Sequence, residues 1–562
     1  MSKVCPPPFN SSNQKDLETY SVELLSFVAK YAKSISDRCT VDLFVEFPNS
    51  IDLDRYLLDS WDIELIHDTK NVDDIDEFAN ALTSRCGFPS SFVRMGNKIT
   101  SFIKKTQSLS LNNCIVQTKK EGEEKWSEVR HALELGAKPK KRHEVRQLCP
   151  IIDKLSKCCE AQTVFDIGSG QGHLDRMLAL KYSLRVVGVE MSSHNAKVAT
   201  KRAVDTLETV TKRKKQNGVL WREAYRMCRR HRLRRVFRAW RGPRPGDDKD
   251  KLLLKKVSKS TPKQEMGTKW IENEKKTGGG VKSVPVFIGP DTSPQDLWKF
   301  VGTHRDDDDE DDNNAILVGL HPCGDLSCAI LRLFVDARQT KKTRVFKGMC
   351  LVSCCYHLLQ QQDKKHGTYR NFPMSKHLLK RRADASPIGQ ASFNLACHMF
   401  RTPLDGRPNI ENLDFKLRLK KLMFRAALQK YVHDRFPKRM SIVVQSRVRW
   451  HKTYNTSSFA EYVRGVTISK RASLRNVIKE HEMESDHDIN LYYEKNIRPR
   501  SHQLAIIINL RCLFAPVIEA LILVDRALYV MESGLFHVEM CPLFDSRLSP
   551  RSVAIMAWLK GE

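Results

Sequence analysis

Sixteen cysteines are scattered through the 562 residues without a single Cys-x-x-Cys pair. No leader of basic, apolar and small residues opens Met1-Ser2-Lys3-Val4-Cys5. Secretion and a disulfide framework are therefore not expected. A long uninterrupted apolar run is also missing. The most apolar stretch, Ala505 to Val524, is broken by Asn509, Arg511, Pro516 and Glu519, so it does not read as a membrane span. Acidic residues are scarce in one place: residues 201–300 hold 27 Lys and Arg against 11 Asp and Glu, in a chain of net charge +29. A local excess of that size favours a nucleic acid or another acidic partner. The reading that remains is a soluble, intracellular chain, cytoplasmic, nuclear or both. Its length and 41% hydrophobic content suit two or three folded domains.

The central stretch runs from Thr163 to Leu180. Thr163-Val164-Phe165-Asp166 is β-branched and aromatic, Gly168, Gly170 and Gly172 follow, and a helical pattern with Leu174, Met177 and Leu178 on one face begins. Strand, glycine turn and helix open a sheet that holds a nucleotide-like ligand beyond its strand ends. Dinucleotide binders read Gly-x-Gly-x-x-Gly, whereas here every second residue is glycine and Asp166 stands two residues before the first. Arg185-Val186-Val187-Gly188-Val189-Glu190 is a second strand, ending in an acid 24 residues after Asp166. The pattern resembles motif I of class I S-adenosylmethionine-dependent methyltransferases. That resemblance implies that Gly168, Gly170 and Gly172 wrap the methionine moiety, that Ser169, Gln171 and His173 also bind the cofactor, that Asp166 orients it and that Glu190 accepts both ribose hydroxyls.

Around this centre, residues 1–135 read as a helical accessory domain, with Leu17, Val22, Leu25, Val28 and Tyr31 in one stripe and Phe78, Ala81 and Leu82 in another. Residues 136–562 form the main domain. The basic run Lys138 to Arg142 precedes a helix through Leu148, Ile152 and Leu155, and places His143 and Glu144 where they can face the ligand cleft. Residues 205–283 read as a flexible basic insertion whose core, Lys212 to Arg244, has 14 Lys and Arg and a single acid, Glu223. It suits an RNA or other polyanion-binding arm, a nuclear-import signal, a calmodulin-target-like helix, or a merely solvated insertion. Val284 to Ile288 reads as the third strand, with Asp291 beyond it as a turn-forming acid that can also contact adenine. Residues 303–314 form an acidic loop.

Ala315 to Leu320 is a buried strand that delivers His321, Cys323 and Asp325 to its carboxyl end, and Gly348 to Ser353 delivers Cys354, Cys355, Tyr356 and His357. Methyl transfer from a sulfonium needs positioning and, for some acceptors, proton removal. His321, Asp325 and Tyr356 are the candidate catalytic groups. His321, Cys323, Cys354, Cys355 and His357 also offer metal-ligating atoms, but their spacing matches no zinc pattern, so no metal is assigned. Further on, Phe415–Tyr431 and Cys512–Tyr529 read as helices, 470–490 as a polar loop, and Phe536–Glu539 with Val553–Ala557 as a closing antiparallel pair.

The segments around Glu144, Asp166, His321-Pro322-Cys323-Gly324-Asp325 and Cys354-Cys355-Tyr356-His357 come in one order with Phe372-Pro373-Met374-Ser375, Leu395-Ala396-Cys397, Asp525-Arg526 and Phe544-Asp545…Ser549-Pro550-Arg551. That series resembles the methyltransferase-like protein 25 family over about residues 138–200 and 284–560. The family implies an α/β, Rossmann-like seven-stranded class I methyltransferase sheet flanked by helices, with S-adenosyl-L-methionine as cofactor. The segments at Cys323 and Cys354-Cys355 also resemble those of certain tRNA 2′-O-methyltransferases, which favours RNA over protein as acceptor. The Asp/Asn-Pro-Pro-aromatic form used by many amino-group methyltransferases is missing, which disfavours an exocyclic amine. The alternative is a pseudo-methyltransferase that serves as a nucleic-acid or protein-binding module.

Overall fold

The computed structural model describes residues 13–36, 57, 59–61, 63–65, 93–111, 133–134, 136–216, 280–289, 292–300, 314–339, 345–363, 368–385, 388–397, 412–439, 457–467, 478, 482–545 and 548–560. Seven strands form one sheet: Thr163–Ile167 (β1), Arg185–Glu190 (β2), Gly280–Pro285 (β3), Asn314–Cys323 (β4), Val345–Cys354 (β5), Phe536–Pro542 (β6) and Val553–Leu559 (β7). Their order is β6-β7-β5-β4-β1-β2-β3. The first five are parallel, and β7 lies antiparallel to both of its neighbours. The expected seven-stranded sheet is present, and the closing pair is where the sequence placed it.

Every residue of β1 is buried, as a central parallel strand covered on both faces requires. Alternate side chains leave opposite faces. Val164 joins Val186, Ile316 and the apolar side of Pro139–Cys158 (α1), through Leu148 and Ile152, in one cluster. Phe165 enters the other face, with Trp298 and Phe346 at centroid distances of 5.4 and 5.6 Å. His173–Tyr182 (α2), Ser193–Gln216 (α3) and Asp325–Gln339 (α4) follow β1, β2 and β4. The chain steps from β1 through β2 to β3 on one side, and from β4 to β5 on the other. In open sheets of this kind the crevice at such a reversal, here at the carboxyl ends of β1 and β4, is the usual ligand position.

Two strand and loop expectations are corrected. The third strand is Gly280–Pro285 rather than Val284 to Ile288, because its partner β2 ends at Glu190, whose carbonyl accepts the last ladder bond, from Val286 N at 3.1 Å. The stretch read as a polar loop, 470–490, contains the start of the helix Asp486–Asn496, whose first turn is capped by Ser485 Oγ accepting from Asp488 N at 3.1 Å.

The chain divides into two compact units. One compact unit comprises Met1–Val22, Cys114–Arg382 and Leu521–Glu562; the other comprises Glu23–Asn113 and Ala383–Ala520. The second unit is two-part because neither segment covers its own apolar stripe. Phe27, Tyr31 and Phe102 lie 6.1–6.3 Å from the ring of Phe514, more than four hundred residues later. A separate core in this unit joins Leu428, Tyr431, Phe459, Val463, Ile489 and Leu504. The helix Ser501–Met531 is long and apolar enough over Ile506–Met531 to cross a membrane by composition, and 83% of that window is buried within the protein. Most of the basic core Lys212 to Arg244, the acids 306–312, Asp291 and the stripe at Phe78 lie outside the described residues.

Gly188 in β2 ties the sheet to α2. A Cβ at this position would stand 2.3 Å from Asp175 Oδ2 and 2.9 Å from Ser169 Oγ. Gly188→Ala is expected to cost about 1–3 kcal/mol through overpacking. Chemical denaturation checks this, and Asp175→Ala in the same chain should relieve part of the loss, so that the double variant is more stable than the two single effects predict.

Candidate functional site

The turn after β1 is built by backbone conformation. Gly168, Gly170 and Gly172 have φ of 80°, 60° and 67°, a region that costs other L-residues about 1–2 kcal/mol. Gly168 N and Ser169 N both donate to Val189 O, at 2.7 and 3.2 Å, which fastens the turn to the end of β2. Gly172 opens α2, and a Cβ there would sit 2.9 Å from Ala199 Cβ, so the turn packs directly on α3. At Gly170 a Cβ would meet nothing within 4 Å. The turn thus has one packed side and one open side.

Two strand-end carboxylates flank that opening. Glu190 Oε2 accepts from Gly170 N at 2.9 Å, and its Oε1 accepts from Ser192 N at 3.0 Å. Asp166 is buried, and its Oδ1, like Ser169 Oγ, has no hydrogen-bond partner. Burial pushes the carboxyls of Asp166 and of its neighbour Asp175 upward, and the charge of Asp166 pushes Asp175 further. Gln171 and His173 serve the turn itself: Arg202 Nη1 donates to Gln171 Oε1 at 2.6 Å and lies 3.0 Å from His173 Nε2. Burial, reinforced by Arg176 and Arg202, draws His173 down to about 4, so its ring is neutral at pH 7.

Opposite β1, at the end of β4, His321 meets Glu144 of α1. His321 Nε2 lies 2.7 Å from Glu144 Oε1, which also accepts from Ser549 Oγ at 2.7 Å. Glu144 is fully buried, with Lys141 Nζ 3.1 Å and Lys140 Nζ 3.5 Å from its oxygens. Burial opposes its ionisation, but the hydrogen bond and charge of His321, then Lys141 and Ser549, outweigh this and hold the carboxyl well below its ordinary 4.5. Burial lowers His321 from 6.5 against the pull of Glu144, so the imidazole is neutral at pH 7. A neutral ring can only donate from Nε2 to a carboxylate, which leaves the Nδ1 lone pair available as a base. His321 also has a left-handed φ of 69°. His143, beside Glu144, accepts at Nε2 from Asp545 N at 3.1 Å.

The other two candidates do different work. Asp325 Oδ1 accepts from Asn371 Nδ2 at 2.5 Å and Oδ2 from Gln360 N at 3.1 Å, so its carboxylate fastens the segment after β5. Tyr356 lies in the core. It is fully buried, its hydroxyl donates to Ser353 O at 3.4 Å, and the guanidinium carbons of Arg526 and Arg551 stand 5.3 and 5.5 Å from its ring centre. Asp525, next to Arg526, accepts from Met374 N, Ser375 N and Ser375 Oγ at 2.7–2.9 Å. Sequence spacing placed Glu144 near the cleft. Ser549 carried no such signal, because 405 residues separate it from its partner.

Residues 140–362 match the family model described as a methyltransferase domain. The chain carries a methyltransferase domain. The resemblance read from the motifs is borne out by two curated relatives, both named "Probable methyltransferase-like protein 25". The mouse protein is 26% identical over 482 residues, covering 75% of each chain, and the human protein is 25% identical over 491 residues, again 75% of each. No solved structure matches. The matched span of the methyltransferase domain contains β1 to β5, the glycine turn, Glu144 and His321.

Because Glu144 is depressed by its folded surroundings, its contribution to stability is present above the ordinary carboxyl value and lost as pH falls through the folded one. Glu144→Gln should lower stability at pH 7 by about 1–3 kcal/mol. The gap to wild type should close as pH drops below 4.5. Denaturant midpoints measured from neutral to acidic pH check this; a gap that stays constant contradicts it.

Proposed function

We propose that the domain transfers the methyl group of S-adenosyl-L-methionine to an acceptor, with RNA favoured over protein. The observation that carries this reading is the open side of Gly170 between two strand-end carboxylates, one with an unpaired buried oxygen at Asp166. A cationic sulfonium amino acid joined to a ribose diol suits such a donor-poor, carboxylate-rich cradle. Asp166 and the turn Gly168 to Gly172 would hold the methionine end, with Glu190 on the ribose. The cofactor, when bound, supplies the electrophilic methyl group.

His321 is the group that takes the acceptor's proton, and Glu144 positions it by fixing the ring through Nε2. A neutral, buried imidazole has no competing proton on Nδ1 and accepts one as the acceptor attacks. Asp325 and Tyr356 support the walls. Lys212 to Arg244 would supply phosphate contacts to an RNA acceptor.

Gly170→Arg tests the cofactor reading. Its Cβ enters open space, so the variant should stay folded at a backbone cost of about 1–2 kcal/mol, yet lose cofactor binding in isothermal titration calorimetry. Wild type, at a hundredfold excess of ligand over Kd, should gain about 2.7 kcal/mol of stability. Binding by the variant equal to wild type would sink the assignment, while cofactor binding without transfer of labelled methyl to lysate RNA or protein would favour the binding-module alternative.

Deletion of Lys212–Arg244 should weaken RNA binding and flatten the slope of log affinity against log salt. An unchanged slope would remove the insertion from the RNA interface.

A further inference from the structure

The described residues contain one triplet of thiols with no assigned task. Cys323 ends β4, Cys354 ends β5, and Cys355 follows in a left-handed conformation, φ 53°. Their sulfurs lie 3.6 Å (323 to 354), 3.3 Å (323 to 355) and 3.5 Å (354 to 355) apart. All three are free thiols, with Cys354 buried, Cys355 half-buried and Cys323 exposed.

Several local distortions converge on this triplet. The β4–β5 register slips between Leu320 and Cys323, so that Cys323 comes opposite Cys354. Gly324 takes φ 55° and donates its N–H to Cys354 O at 3.2 Å; a Cβ there would sit 2.7 Å from Leu358 Cβ and 2.9 Å from Leu358 backbone. A side chain at 324 would therefore force the two strand ends apart. Thiol packing does not account for this, since one of the three is exposed and thiols are weak hydrogen-bond donors.

The spacing discriminates between the two chemistries open to clustered thiols. A disulfide needs sulfurs at about 2.05 Å, so any pair would have to close by more than an ångström. Three thiolates on one tetrahedral zinc, at about 2.3 Å each, stand roughly 3.8 Å apart. The triplet needs to open by only a few tenths of an ångström.

We infer that Cys323, Cys354 and Cys355 form a three-thiolate site for one thiophilic divalent cation, with zinc as the matching metal and the fourth position open on the Cys323 side. Three protein ligands with a fourth position left to water or another atom is the arrangement of reactive rather than purely structural zinc sites. It lies at the carboxyl ends of the strands, beside His321, whose carbonyl oxygen is 3.2 Å from Cys354 Sγ. Sequence spacing concealed the site because two ligands are adjacent and the third is 31 residues away, a pattern set by strand pairing rather than by a short loop.

The full chain, purified under reducing conditions and stripped of metal, is titrated with Zn2+ or Co2+. About one equivalent should bind, and cobalt should give thiolate-to-metal charge-transfer absorption. Cys323→Ser, at an exposed position, should keep the fold by circular dichroism while its affinity falls at least about tenfold, with loss of that absorption. The Cys323→Ser, Cys355→Ser double variant should abolish the stoichiometric site. The site is refuted if reduced wild type takes up no equivalent, if the double variant binds as wild type does, or if mass spectrometry finds a disulfide among the three in protein handled under reducing conditions. Metal content is read without any activity, so its failure leaves the methyl-transfer reading untouched.

Discussion

The buried carboxylate of Glu144 is the constraint on which the carboxyl end of β4 depends. An ionised group removed from water must be surrounded by donors or it costs several kcal/mol. Here the donors come from across the chain: His321 from a strand end, Ser549 from the segment before the last strand, and Lys140 and Lys141 from its own helix. Satisfying one charge thus fixes where α1, β4 and the C-terminal segment meet. The ring of His321 is held in one orientation and one tautomer as a by-product of that requirement.

The same logic joins the remaining resembling segments. Asp525 draws Met374 and Ser375 onto the helix Ser501–Met531, Asp325 draws in Gln360 and Asn371, and Arg526 and Arg551 both lie against Tyr356. Most of the conspicuous polar residues near the strand ends serve this frame. The turn on the other side of β1 leaves Asp166 Oδ1 and Ser169 Oγ without hydrogen-bond partners, as the frame itself leaves Glu144 Oε2. Unmet polar demand inside a rigid frame is where a ligand adds most.

The sheet was legible in the sequence because parallel strands buried on both faces write continuous apolar runs, as Ala315 to Leu320 does. The glycine turn was legible because three positive-φ positions at alternate residues leave few substitutes. Strand limits were less so: Val286 to Ile288 look like strand, and only the end of the partner strand at Glu190 stops the ladder. Tyr356 looked like a reactive hydroxyl because a strand end usually faces the ligand, and nothing local reveals two arginines arriving from residues 526 and 551. Long-range pairing, such as Ser549 with Glu144 or Phe514 with Phe102, leaves no periodic trace in the chain.

The two-part helical unit has a consequence for how the protein is made. Phe27, Tyr31 and Phe102 emerge from the ribosome long before Phe514 exists, with the whole span from Asn113 to Ala383 to be synthesised between the two parts of the unit. At roughly 5–20 residues per second, that interval lasts on the order of a quarter of a minute to a minute. During it an apolar, aromatic surface waits without its other half. Nascent chains of this protein should therefore depend on chaperones most strongly at their amino-terminal end, and truncated transcripts ending before residue 383 should yield a product that aggregates rather than a smaller folded one.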